Sequence, residues 1–221
     1  MPYVLGPFSL QQPLAGAFLA FCLLPSLTLH ASQAIARVPE AVLAQAASLP
    51  TLHRHWSAEL IRVEQLQPVL DLADPALPLA MLPGERLEHL VLMAGATLAG
   101  QTLRHCIVRD EVQAVQAQLG DALLSFVQQR AQELHPGLAV DFSFRSEGLV
   151  SELNAMGSGL LAAALLEASP GVGRRGLLRL PISAPQQGEH LSITSSEALR
   201  LSLALLQELD PQWLSLFPAT P

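Results

Sequence analysis

The sequence predicts a mainly α-helical fold, a compact multi-helix domain with room for one small two-stranded β element. Three observations carry this. Leucine is about one residue in five while aromatics are only 5%, a balance that favours helix over strand. Apolar residues recur at three- and four-residue spacing in several stretches, the period of a helix with one buried face. Prolines and glycines cut the 221 residues into blocks of helix length, with no repeat of fixed period.

The first block, Leu14 to Leu24, is an apolar run bracketed by Pro13 and Pro25. It is about half of what a bilayer crossing requires. No Asp, Glu, Lys or Arg precedes Arg37, whereas a secretory signal carries its positive charge before the apolar core. A buried helix is expected, with no membrane insertion. Helical blocks follow at 31–48, interrupted near Pro39, and at 51–67. The stretch Asp71 to Gly84 holds Pro75, Pro78 and Pro83 and reads as a linker. The expected organisation is a helical N-terminal region over 1–72, a proline-rich linker over 73–84 and a helical core region over 85–221, together one globular unit.

Glu85 to Val108 reads as one long helix whose middle, Leu90 to Ala99, is apolar all round, the pattern of a central helix contacted from several sides. Its small residues Ala94, Gly95, Ala96, Ala99 and Gly100 let neighbours approach closely. Asp110 is placed to cap the next helix, in which Val112, Val115, Leu119, Leu123 and Phe126 form an apolar stripe. His135-Pro136-Gly137 ends it. Leu138 to Phe144 alternates like a short strand, and Leu177 to Ile182 is the strand that pairs with it. Between them Leu149, Leu153, Met156 and Leu160 mark a helix, and the glycine-rich Ser169 to Gly176 reads as a loop. Thr194-Ser-Ser-Glu197 has the pattern of a capping box and opens the last helix, which runs through Leu199, Leu203 and Leu206 to Asp210-Pro211.

Composition excludes several functions. All twelve basic residues are arginine, so phosphate-binding, Schiff-base and general-base lysines are ruled out. A net charge of −7 provides no positive field for nucleic acid or an anionic membrane. Charged residues are 14% of the chain against about 25% in typical domains, which predicts an exposed apolar face for a protein partner. Cys22 and Cys106 match no metal or redox spacing and read as buried free thiols of a reducing cytoplasm.

Individual motifs lead to no active site. Gly95 to Thr102 resembles a phosphate-binding loop but has Gln101 where the lysine belongs, and it lies within a helix. Met156-Gly-Ser158-Gly-Leu160 lacks the glycines of a nucleophile elbow. His55 with Glu59, and Glu85 with His89, share helix faces, but neither pair finds a third ligand, so no metal is expected. No catalytic residue and no cofactor is assigned. An enzyme with a His/Glu site would have to use His55, Glu59, Glu85 and His89.

Four segments stand in a characteristic order and spacing across roughly residues 18–182. They are Phe21-Cys-Leu-Leu-Pro-Ser-Leu-Thr-Leu-His30, Leu49-Pro-Thr-Leu-His-Arg54, Leu98-Ala-Gly-Gln-Thr-Leu-Arg-His-Cys-Ile-Val108, and Ser158-Gly-Leu-Leu-Ala-Ala-Ala164 leading into Arg175-Gly-Leu-Leu-Arg-Leu-Pro181. Together they resemble the SctK (YscK-type) family of the bacterial type III secretion injectisome. The resemblance implies a non-enzymatic cytoplasmic adaptor of the sorting platform, peripheral to the inner-membrane base. It implies a bridge between the cytoplasmic domain of the ring protein SctD and the pod protein SctQ, and through SctQ an indirect link to the stator SctL and the ATPase SctN. A secretion chaperone or another helical protein-binding module is the alternative. Arg104, Arg174, Arg175 and Arg179 are the candidate interface residues, because they lie in the resembling segments or project charge from loops; Arg104 equally fits an internal capping role.

Overall fold

The computed structural model describes residues 12–39, 43, 49–105, 108–138 and 148–217. Among them are thirteen α-helices and no strand. The N-terminal part holds α1 (Gln12–Leu23), a 3-10 turn (Pro25–Leu27), α2 (Ala31–Ile35) and α3 (Pro50–Val63). The short α4 (Leu77–Ala80) leads into α5 (Gly84–Leu98) and α6 (Gly100–Arg104). Next come α7 (Arg109–Gln129), α8 (Ala131–Leu134) and α9 (Leu149–Leu165). The chain closes with α10 (Pro170–Leu177), α11 (Ala184–His190), α12 (Ser195–Leu209) and α13 (Pro211–Leu214).

The centre is the pair α5 and α9, and small residues set its geometry. A Cβ on Gly95 would lie 1.9 Å from the Leu153 carbonyl oxygen, and one on Gly157 would lie 1.8 Å from the Val91 carbonyl oxygen. Each helix thus offers a glycine to the backbone of the other. Two positions along a helix turn through about 200°, so Gly159 faces the opposite side of α9 from Gly157. There it admits α11: the Gly188 Cβ position is 2.7 Å from the Gly159 carbonyl oxygen. The helix α9 is therefore held between two neighbours at backbone contact, with α12 packed beside it. Leu90, Leu98, Leu160, Leu161, Leu205 and Leu206 fill the main core around this crossing. A second cluster, with Ala96, Leu103, Val115, Leu119 and Leu149, lies between α5, α6, α7 and α9.

Much of the proline-rich stretch 73–84, expected as a linker, is core: Asp74 and residues 76–82 are buried, while Ala73, Pro75, Pro83 and Gly84 are exposed. Ala76, Leu77, Leu79, Ala80 and Leu82 are all at most 2% exposed. Prolines leave backbone carbonyls without partners, and donors from elsewhere take them. Trp213 donates from Nε1 to the Pro78 carbonyl at 2.9 Å, and Arg179 donates to the carbonyls of Ala80 and Leu82. The buried Asp74 accepts from the Ala76 and Ser169 amides at 2.9 and 2.8 Å. An apolar Ala-Leu-Pro-Leu-Ala-Met-Leu run can therefore sit inside despite its prolines.

Other boundaries move for local reasons. Ser169 to Gly176 is mostly the helix α10, begun by Pro170 behind the extended Ser169, and not a loop. Glycines here serve close packing: a Cβ on Gly171 would meet the Pro68 carbonyl oxygen at 2.6 Å, and one on Gly173 the Leu165 carbonyl oxygen at 2.5 Å. Leu177 to Ile182 is not a strand. The amides of Leu178, Arg179 and Leu180 bond to the carbonyls of Arg174, Gly176 and Leu177, so local turns already occupy the donors a ladder needs. Its expected partner, beyond Leu138, lies outside the described residues, as do Cys106 and most of 40–48. The long helix breaks at Ala99 before α6. Asp110 does not cap α7; Val108 is the N-cap residue, and Asp110 sits in the first turn, where its charge complements the helix dipole. Within α7, Gly120 has φ 77° and ψ 161°, a conformation essentially reserved for glycine. The capping box at Thr194 is present, with Thr194 Oγ1 accepting from the Glu197 amide at 3.3 Å and Glu197 accepting from the Thr194 amide at 3.1 Å.

Candidate functional site

The four arginines expected at an interface all bind carbonyls of their own chain. From α10, Arg174 donates to the Glu64 carbonyl at 2.8 Å. Arg175 is 4% exposed; it donates to the carbonyls of Gln67, of Gly171 at 3.0 Å and of Cys22 at 3.3 Å. Arg179 is 8% exposed, and burial pushes its guanidinium down to about 10, still charged at neutral pH. Burial likewise lowers Arg175, against the smaller opposing effect of Cys22. Arg104 donates to the Pro136 carbonyl at 2.9 Å and reaches the Val127 carbonyl at 3.5 Å. The guanidinium fork suits this work, since several donors leave one plane. Arg175 and Arg179 therefore do not project from loops. They fasten the ends of α1 and α4, and the segment after α3, to the middle of the molecule.

The residues with chemical potential are dispersed. Glu59 is paired with Arg62 at 2.5 Å, not with His55, which is exposed. Glu85 and His89 are exposed on α5. Among the described residues no group of three or more His, Cys, Asp or Glu is placed to hold a metal ion. Ser158 is fully buried and donates back to the Asn154 carbonyl at 2.7 Å. One constellation escaped sequence reasoning: Ser26 Oγ lies 3.0 Å from His53 Nδ1 and 2.7 Å from Ser57 Oγ. Its parts stand 27 and 31 residues apart, so no local motif announces it. Ser26 is 5% and Ser57 0% exposed, which closes the hydroxyls to a substrate. The trio fastens the 3-10 turn to α3.

Two surfaces among the described residues are open to a partner. One is apolar: Leu19 and Leu23 on α1, with Leu27 just beyond, are all more than half exposed, on a stretch without a formal charge. The other is a cleft of about 910 Å³ between segment 27–31, α5, α9 and segment 179–183. No helix among the described residues is long and apolar enough to cross a membrane.

A family model described as YOP proteins translocation protein K (YscK) matches residues 18–218. The chain belongs to the YscK family. This YscK-family chain is accordingly a type III secretion protein, with a role in protein transport. The match runs from α1 to the end of the described C-terminus, past Trp213 and Phe217, beyond the segments that carried the resemblance. No curated protein and no solved structure matches the chain.

Proposed function

We propose that this protein is a non-enzymatic cytoplasmic adaptor of the injectisome sorting platform, peripheral to the inner-membrane base. It links the cytoplasmic domain of the ring protein SctD to the pod protein SctQ, and so connects indirectly to SctL and SctN. The observation that carries this is the family match over 18–218, which spans nearly the whole helical body. Two features support it. Among the described residues, the buried Arg175 and Arg179 fasten the chain's own backbone, and the exposed leucines of α1 give a partner an apolar surface to cover. Binding of proteins, without chemistry, is the role this distribution suits.

Co-purification tests the proposal. The full chain, expressed with SctQ and the SctD cytoplasmic domain, is expected to recover both in one complex, whereas SctD and SctQ without it stay apart. Recovery of effector cargo in place of SctQ contradicts the adaptor and indicates a chaperone.

A further inference from the structure

The helix α1 is apolar on two sides, and its own chain covers one of them. Leu14 and Phe21 are buried in the main core, with Phe18 and Cys22 packed against it. On the other side Gly16, Leu19, Ala20 and Leu23 lie within about 100° of one another around the helix axis, and Leu19 is 55% and Leu23 60% exposed. Gly16 is exposed as well, and a Cβ there would meet nothing within 4 Å. Gly95, Gly157, Gly159 and Gly188 each admit the backbone of a neighbouring helix. Gly16 admits nothing of its own chain, although a glycine inside a helix costs stability relative to alanine.

The order of sizes along this face identifies its occupant. Gly16, Leu19, Ala20 and Leu23 read small, large, small, large. A second α1 laid antiparallel, with a two-fold axis crossing between residues 19 and 20, sets Gly16 opposite Leu23 and Leu19 opposite Ala20. Each leucine then enters the gap left by a small residue of the other helix, as knobs enter holes in a helix pair. The fit is isologous, because the same patch serves both copies. A parallel pair would instead set leucine on leucine and leave Gly16 facing Gly16.

Charge permits the same pairing. The chain carries a net charge of −7, so copies repel where their acidic surfaces meet. Residues 1–36 contain no Asp, Glu, Lys or Arg, so two copies meet along α1 without setting carboxylates face to face. One helix pair of this length buries less than the roughly 1,200 Å² of a standard interface, which makes the contact weak and reversible.

We propose that the outer face of α1 is a self-association surface, on which a second copy of this chain docks its own α1 antiparallel, with Leu23 of each copy seated over Gly16 of the other. This commits the exposed apolar surface of α1 to one occupant, and it does not depend on the adaptor reading.

Sedimentation of the full chain at concentrations from about 1 μM to 1 mM tests the proposal. The average mass is expected to rise towards that of a dimer. Leu19→Glu, at an exposed position, is expected to weaken association at least about tenfold with unchanged thermal unfolding, whereas Leu166→Glu, exposed just past α9, leaves association as it was. Gly16→Leu separates a fitted contact from general stickiness, since it adds apolar surface but fills the gap; association is expected to fall. Adding Leu23→Ala to Gly16→Leu exchanges the large and small positions and is expected to restore it. Stronger association of Gly16→Leu overturns the proposal, as does an unsubstituted chain that stays monomeric throughout. A Leu19→Glu chain that sediments like the unsubstituted one but no longer recovers SctQ or SctD assigns the face to that partner and also overturns it. Because the masses are measured without SctD or SctQ, this result stands apart from the co-purification that tests the adaptor.

Discussion

The N-terminal helices and the central pair are held by different physics. The helices α5 and α9 meet backbone to backbone through Gly95 and Gly157, with no room for a methyl group on either. By contrast, α1, which buries Leu14 and Phe21 in the main core, α2 and the segment after α3, which meets Gly171 at Pro68, are further tied to the 174–182 stretch by a set of polar bonds. Arg175 grips the Cys22 and Gln67 carbonyls, Gln33 Nε2 donates to the Leu180 carbonyl at 3.3 Å, the His30 amide donates to the Leu178 carbonyl at 3.0 Å, and the Ile182 amide donates to Ser32 Oγ at 3.0 Å. Shape fit tolerates no change in volume. Polar fastening tolerates volume change but depends on each donor and on protonation. The first arrangement suits a rigid support and the second a part that adjusts to a partner.

The largest effect is expected at the centre. Gly157→Val places atoms where the Val91 carbonyl stands, and the helices must part. A loss of about 4 kcal/mol or more is expected, read as insoluble protein or as a collapsed urea midpoint. A stable, soluble Gly157→Val protein would remove the distinction between the two regions. Next is Arg175→Met, which keeps bulk but leaves the Cys22, Gln67 and Gly171 carbonyls without their donor. A loss of about 2–3 kcal/mol is expected, with faster amide exchange in α1 and residues 64–72 and unchanged exchange in α5 and α9. Equal acceleration in all four would show that the regions are not separately held.

A smaller change, about 1 kcal/mol, is expected for Ser32→Ala, which removes the acceptor for the Ile182 amide; exchange should quicken at α2 first. The smallest effect is that of pH. Burial lowers the His30 pKa below its usual value, with Glu88 opposing more weakly, and its Nδ1 accepts from the Ser32 amide at 3.1 Å. A depressed folded value means that the contribution is present above about pH 6.5 and is lost as pH falls through the folded value. Thermal unfolding should therefore come a few degrees earlier below about pH 6. His30→Asn keeps an N-cap acceptor and should flatten that dependence. The part that remains is assigned to His135, whose pKa is also lowered by burial and whose Nδ1 accepts from the Gly137 amide at 3.0 Å.

Features with a local cause were legible in the sequence. The apolar Leu90 to Ala99 run with its small residues marked α5 as the central helix, and the capping box at Thr194 depends on four consecutive residues. The core position of Ala76 to Leu82 was not legible, because it requires Arg179 and Trp213 to arrive from about 100 and 135 residues away. The burial of Arg175 was not legible for the same reason. Charge beside glycine looks like an exposed turn until the Cys22 carbonyl, 153 residues distant, is seen to lie against Arg175. For α1, the apolar run between Pro13 and Pro25 was legible as a helix. What the sequence could not supply was which side its own chain covers, because the run is apolar on both.

The role proposed for this YscK-family protein is to join the pods to the ring. Electron cryotomography of injectisomes in cells lacking it tests that most directly. Pod density beneath the ring is expected to disappear together with secretion, and both are expected to return when the intact chain is supplied. Pods still attached at full occupancy, with secretion intact, would contradict the account.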